Sequence, residues 1–171
     1  MAGDDPVILA HAAYALACFG EDIGAMMALV DRALALNPSF ARGWHLSGLF
    51  RMWAGQPDIA IEHVEAALRL SPRARGTSLL VLGAAHFFSR RFDEAVPKFL
   101  LAIQENPRFP ESYRYLAACY AHMGRLDDAR EIVERLRAVT ARVVTSGNVF
   151  QDPAHRELYL SGLRLAAGEA T

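Results

Sequence analysis

Lysine is nearly missing from this chain: of its 18 basic residues only Lys98 is a lysine, and the rest are arginines. With heavy alanine usage, that is the compositional mark of a GC-rich bacterial genome. Cysteine is scarce as well. Cys18 and Cys119 stand far apart in different helical stretches, so no disulfide framework is implied. The pair reads as two small buried thiols in a reducing cytosol. There is no excess of charge of one sign. A net charge of −1 and a pI near 6.6 deny the electrostatic footprint of a nucleic-acid binder. No run suits a bilayer, since the apolar stretch from Val7 to Phe19 is too short and contains His11. The acidic opening from Met1 to Pro6 is not the basic start of a secretory signal. These absences predict a soluble, cytoplasmic chain with neither nucleic acid nor membrane as a partner.

Chemistry is also missing. There is no phosphate-binding glycine loop, no H-E-x-x-H and no G-x-S-x-G. Histidines 11, 45, 63, 86, 122 and 155 are never three to five residues apart, so no helix presents a pair to one metal. His86 falls in a core register and reads as a satisfied buried imidazole. Glu62 and Glu65 read as a solvated face, because no other polar group converges on them. The expectation is a chain that is not an enzyme and carries no cofactor and no metal.

What is present is a period. The chain has 171 residues, 53% of them hydrophobic and 22% charged, which suits one compact domain or one short repeat array. Pro38, Pro72 and Pro107 each end an alanine-rich amphipathic stretch, 34 or 35 residues apart. Ala60, Ala95 and Ala129 each follow an acidic turn, and Gly48 and Gly83 repeat at the same spacing. A fixed period of this length means one supersecondary unit copied along a solenoid. In the clearest copy, Gly55 stops the first helix in a left-handed conformation, Pro57 presets the turn, and Asp58 can cap the next helix. Ala60, Val64, Ala67 and Leu68 then draw one apolar stripe. A weaker first unit has a helix-to-helix turn one residue different from the others.

Gly48, Gly83, Ala117 and Ala13 sit where a first helix crosses its partner, and a larger side chain there would hold the axes apart. Trp44, Phe99, Tyr113, Tyr120 and Val133 fill the spaces between. The predicted fold is all-α, a solenoid of four helical hairpins over 6–139 (6–38, 39–74, 75–108 and 109–139). A linker over 140–151 carries the loop signal Thr145-Ser146-Gly147-Asn148. Asp152-Pro153 then opens a helix over 152–168, whose Leu158, Tyr159, Leu163 and Ala166 would cap the last repeat. Gly162 weakens that helix by about 1 kcal/mol relative to alanine.

The pattern aromatic-x2-Leu-small, followed by Ala-x3-large-x2-Ala-x4-Pro, resembles the tetratricopeptide repeat over about Pro6 to Val139. There are departures. Ser47 and Arg51 replace apolar residues, with the Arg51 stem packed and its head in water. Arg90 stands where other units have glycine, and Pro97 costs a hydrogen bond and bends its helix. Tyr14-Ala15-Leu16-Ala17, Asp31 to Pro38 and Arg156 to Arg164 also resemble the C-terminal repeat region of bacterial class III adenylate/guanylate cyclases and of similar winged-helix regulators. That setting implies a regulatory module of a larger signalling protein, and the abrupt helical start at Asp5-Pro6 would suit such a domain.

The tetratricopeptide resemblance implies that the first helices line a concave groove. Its stripe would be Arg42, His45, Leu49, Met52 and Trp53 in unit two, then Thr77, Leu80, Ala84, Phe87 and Phe88 in unit three. Unit four would add Glu111, Arg114, Ala118, Ala121 and His122. The lysines and asparagines of a carboxylate clamp are absent, so a chaperone-cofactor role is disfavoured. Aromatics with arginine are the usual anchors of an interface. The expected partner is therefore a protein or peptide held in the groove, with Trp53, Phe87 and Phe88 foremost. Two alternatives stand beside this. Those aromatics are instead covered by a neighbouring helix or by the chain's own C-terminal segment, or the chain self-associates as a homodimer that sets the geometry of an attached domain.

Overall fold

A computed structural model describes residues 5–20, 22–73 and 75–169. Among these are nine helices and no strand: α1 (Pro6–Phe19), α2 (Ile23–Leu36), α3 (Ala41–Trp53), α4 (Pro57–Leu70), α5 (Gly76–Phe88), α6 (Phe92–Glu105), α7 (Pro110–His122), α8 (Leu126–Arg137) and α9 (Pro153–Ala167). The first eight pair as antiparallel hairpins, each packed on the next, in a tetratricopeptide-like solenoid. None of the described helices is long and apolar enough to cross a membrane.

Hairpin closure follows from local chemistry. The chain must reverse two residues ahead of α4, α6 and α8, and Gly55 and Gly124 do so at φ 82° and 76°. Arg90 does the same work at φ 56°, in the left-handed region that favours glycine. Between hairpins, Pro38, Pro72 and Pro107 follow the second helices. The aromatic that opens a first helix then ties back, Trp44 Nε1 donating to the Pro38 carbonyl at 2.7 Å and Tyr113 Oη to that of Pro107 at 2.9 Å. Helix α6 runs unbroken through Pro97.

Close approach inside each hairpin rests on the small residues. A Cβ on Gly83 would lie 2.7 Å from the Phe99 ring, and one on Gly48 would collide with Val64. Gly162 has the same origin. Its Cβ position is 2.9 Å from Ala118 Cβ, so the lost helix propensity is exchanged for contact between α9 and α7. Helix α9, capped by Asp152 at Ala154 N (2.8 Å), lies on α7 and α8 and buries Leu158, Tyr159, Leu163 and Ala166 there.

Several expectations need correction. Asp58 does not cap α4: Gln56 holds that position without a side-chain bond, and the Asp58 carboxylate pairs with Arg91 at 3.0 Å. Arg51 does not end in water. Its guanidinium bonds both Asp31 oxygens at 2.9 Å and the buried Ser47 hydroxyl, tying α3 to α2 where apolar residues were expected. Cys119 is buried, but Cys18 is exposed. His86 is buried, yet its Nδ1 makes no hydrogen bond among the described residues and stands 3.6 Å from Glu94.

The core has two parts. One gathers α1, α2 and the first part of α3 around Val30, Leu46 and Phe50. The larger runs from Met52 to Ala166. Leu49 and Trp53 pack against both.

Candidate functional site

The first helices α3, α5 and α7 lie side by side, and their shared face is a cleft of about 450 Å³. His45, Leu49, Met52 and Trp53 reach it from α3, Thr77, Leu80 and Ala84 from α5, and Glu111 and Tyr115 from α7. Most of the expected stripe of units two and three is thus brought together. Tyr14 and Phe109 stand half-exposed at its rim, and Arg42, which does not line the cleft, sits over the Tyr14 ring at 5.7 Å.

The rest of the expected stripe is not available to a partner. Phe87 and Phe88 are buried. Phe87 packs among Phe92, Tyr115 and His122, and Phe88 stacks on His155 at 4.5 Å and meets Phe150 edge-on at 5.0 Å. Arg114 is 5% exposed. It donates to the carbonyls of Val143 (3.0 Å) and Arg142 (2.6 Å) and pairs with Glu111. His122 Nε2 donates to the Leu158 carbonyl at 2.7 Å, and Ala118 and Ala121 are buried. The physical reasons are two. Phe87 is enclosed by neighbouring helices, through Phe92 of α6 and Tyr115 and His122 of α7. Over Phe88, Arg114, Ala118 and His122 the chain's own C-terminal segment lies along α7 and closes that end of the face, while the α3–α5 end stays open.

That segment also supplies a wall that the sequence pattern did not reveal. Thr145, Ser146, Asn148, Val149 and Phe150 line the cleft, with Tyr159 of α9 behind them. The Gln151 amide donates to the Trp53 carbonyl at 3.0 Å, and Arg156 holds the Phe150 carbonyl at 2.7 Å. One signal was present: Val143, Val144, Val149 and Phe150 are too apolar for a solvated linker.

The lining is apolar and rich in aromatic rings, with few ionisable groups. Glu111 is already engaged, by Arg114 at one oxygen and by the Tyr159 hydroxyl at the other (2.9 Å). Burial, reinforced by Tyr159 and then by Glu111, pushes the Tyr115 hydroxyl well up; burial and Glu111 do the same for Tyr159. His45 Nδ1 lies 3.0 Å from Ser78 Oγ, a serine–histidine pair in outline. Ser78 is buried and does not line the cleft, so no substrate carbonyl could reach its oxygen from there. No group of three or more His, Cys, Asp and Glu among the described residues could hold a metal. Such a cleft can bury apolar groups and offer a few hydrogen bonds at its rim.

Burial, and then Arg42, push His45 down to about 4. The unfolded chain therefore takes up this proton at a higher pH than the folded one, and the stability gained by keeping the ring neutral fades as pH falls from about 6.5 towards 4. The loss approaches about 3 kcal/mol at the lower end. His63, His86 and His155 shift the same way, burial being the first cause in each. Urea midpoints measured from pH 7 to 4.5 are expected to fall for the native chain and to fall less for His45→Gln. Parallel curves would contradict the assignment.

Models of the tetratricopeptide repeat match the chain over residues 51–107 and again over 89–142. Among solved structures, YrrB, described as a TPR protein with an unusual peptide-binding site, is 21% identical with a TM-score of 0.65. It aligns over 96% of this chain and 86% of its own. TTC0263, a thermophilic TPR protein of Thermus thermophilus, is 19% identical with a TM-score of 0.70, over 95% of this chain and 87% of its own. MamA of Desulfovibrio magneticus RS-1 is 20% identical with a TM-score of 0.69, over 80% and 76%.

Proposed function

Since the chain belongs to the tetratricopeptide-repeat family, whose fold serves protein–protein interaction, we propose that it is a non-enzymatic module that binds a peptide across the α3–α5 face. The observation that carries this is the open apolar cleft where three units and the C-terminal loop converge. Its volume falls within the roughly 300–1,000 Å³ of small-ligand sites, so it holds a few side chains of an extended segment rather than a whole helix. Leu49, Leu80 and Trp53 would receive an apolar anchor, and the Thr77 and Asn148 side chains would face its flanks. The described peptide-binding site of YrrB supports the reading at the level of fold. In the setting that the sequence resembles, the module would be a cytoplasmic regulatory region of a larger bacterial signalling protein.

The test uses peptides selected on the native chain from a random displayed library. Leu49→Glu and Leu80→Glu each bring a carboxylate into the cleft from a half-buried position. Each is expected to weaken the selected peptides at least about tenfold, read by fluorescence anisotropy, with far-UV dichroism unchanged. Equal affinity for both variants would overturn the proposal.

A further inference from the structure

The inner stripe carries its charges unevenly. At matching places of the repeat, unit four has Glu111 and Arg114, unit three has Thr77 and Leu80, and unit two has Arg42 and His45. The unit-four pair cancels itself, and the other Glu111 oxygen accepts from the Tyr159 hydroxyl. Unit three brings no charge. In unit two, Arg42 is exposed and makes no ion pair with any described residue. Its guanidinium rests over the Tyr14 ring, 5.7 Å from the centroid, at the mouth of the cleft. Glu111 is the only Asp, Glu, Lys or Arg among the cleft residues themselves. The α3 end is thus left with a positive charge that no described residue answers.

The polar group beside it has the same character. His45 lines the cleft one turn on from Arg42, with Nδ1 3.0 Å from the Ser78 hydroxyl. Ser78 is buried, and its hydroxyl has no other partner among the described residues, so its proton goes to Nδ1. The neutral ring then carries its own proton on Nε2, which bonds to no described residue. Burial, and then the Arg42 charge, keep this ring neutral. The α3 end therefore offers a guanidinium and an imidazole N–H, both donors, beside the apolar floor of Leu49, Leu80 and Trp53.

Given the peptide reading above, on which this rests, we propose that the occupant is an acidic segment: an Asp or Glu side chain paired with Arg42 stands a few residues from the apolar side chain seated among Leu49, Leu80 and Trp53. Arg42 and Leu49 are seven residues apart on α3. That is about 10 Å along the helix axis, which an extended chain spans in about three residues. The acid is a side chain rather than a chain end. Arg42 lies outside the cleft, where a side chain leaving the bound backbone reaches it and a terminus seated on the floor does not. The molecule holds its own precedent for the backbone part. In unit four Arg114, which has the place of His45, donates to the main-chain carbonyls of Arg142 and Val143. His45 Nε2 is placed to take one carbonyl of the occupant in the same way. A charge at the rim steers the encounter and sets the preference among sequences more than it adds affinity.

The sequences recovered from the displayed library carry the test. Among peptides that Leu80→Glu weakens, Asp and Glu are expected to be enriched at one place, about three residues from the apolar anchor. Replacing that acid by Asn or Gln is expected to weaken binding about fivefold at low salt, a difference that shrinks at about 0.5 M salt. The same selection on Arg42→Glu, an exposed position whose change leaves the far-UV dichroism intact, is expected to enrich Lys and Arg at that place instead. Cleft-directed peptides with no acidic preference on the native chain, or with the same preference on Arg42→Glu, would overturn this inference and leave the peptide reading standing. A preference that disappears when the peptide's C-terminus is amidated would do the same. If neither Leu49→Glu nor Leu80→Glu weakens any recovered peptide, both fall.

Discussion

A chain ended after Thr140 is expected to lose cooperative unfolding altogether. The missing piece buries Phe150, Leu158, Tyr159, Leu160 and Leu163 against the last two repeats. Full burial of such a side chain contributes about 2 kcal/mol, so the five together approach about 10 kcal/mol, the scale of a whole domain's stability. The loss does not stop at area. Arg114 would be left with its guanidinium in a vacated site, without the Val143 and Arg142 carbonyls that now accept from it. His122 would lose the Leu158 carbonyl. The check is a thermal melt followed at 222 nm beside the native chain. A truncated chain with a sharp transition within a few degrees of the native one would show that α9 is an appendage rather than the cap.

Phe87→Ala is expected to act on stability, and to act strongly. The side chain is fully buried, with four aromatic neighbours at centroid distances from 5.3 to 5.9 Å. Truncating a phenylalanine so enclosed costs about 3–5 kcal/mol. In a chain of this length that lowers the unfolding midpoint by roughly 10 °C. Leu80→Glu, in the cleft but off the joint between the two core parts, should show the converse, a smaller change in midpoint with a large one in peptide affinity. Calorimetry beside anisotropy separates the two. If Phe87→Ala melted with the native chain, the ring would not be the core residue that its contacts make it.

The contrast between these residues marks how far the sequence pattern reaches. Both belong to the inner stripe of a first helix, and periodicity alone treats them alike. The hairpins, the crossing points at Gly48 and Gly83, and the helix start at Asp152 could be read because each depends on residues within one or two turns. Phe87 is enclosed by α6 and α7, whereas the fate of Phe88, Arg114 and His122 depends on a segment far along the chain that has no period of its own. Residues 140–151 are held by backbone carbonyls that accept from Arg114 and Arg156 and by one amide that donates to Trp53, and main-chain groups leave no trace in side-chain patterns. Asp58 failed for a local reason. With Pro57 at the first helical position, the capping place had already passed to Gln56.

The division of the core has a consequence for how the array breathes. Opening in repeat proteins proceeds by contiguous blocks, and the boundary between blocks falls where few side chains are shared. Here that boundary is crossed by Leu49 and Trp53, which also form part of the cleft floor. An occupant of the cleft would therefore act as a splint across the joint. It would draw its affinity in part from suppressing the independent opening of the N-terminal block, and any substitution that loosens that block would weaken binding without touching the ligand.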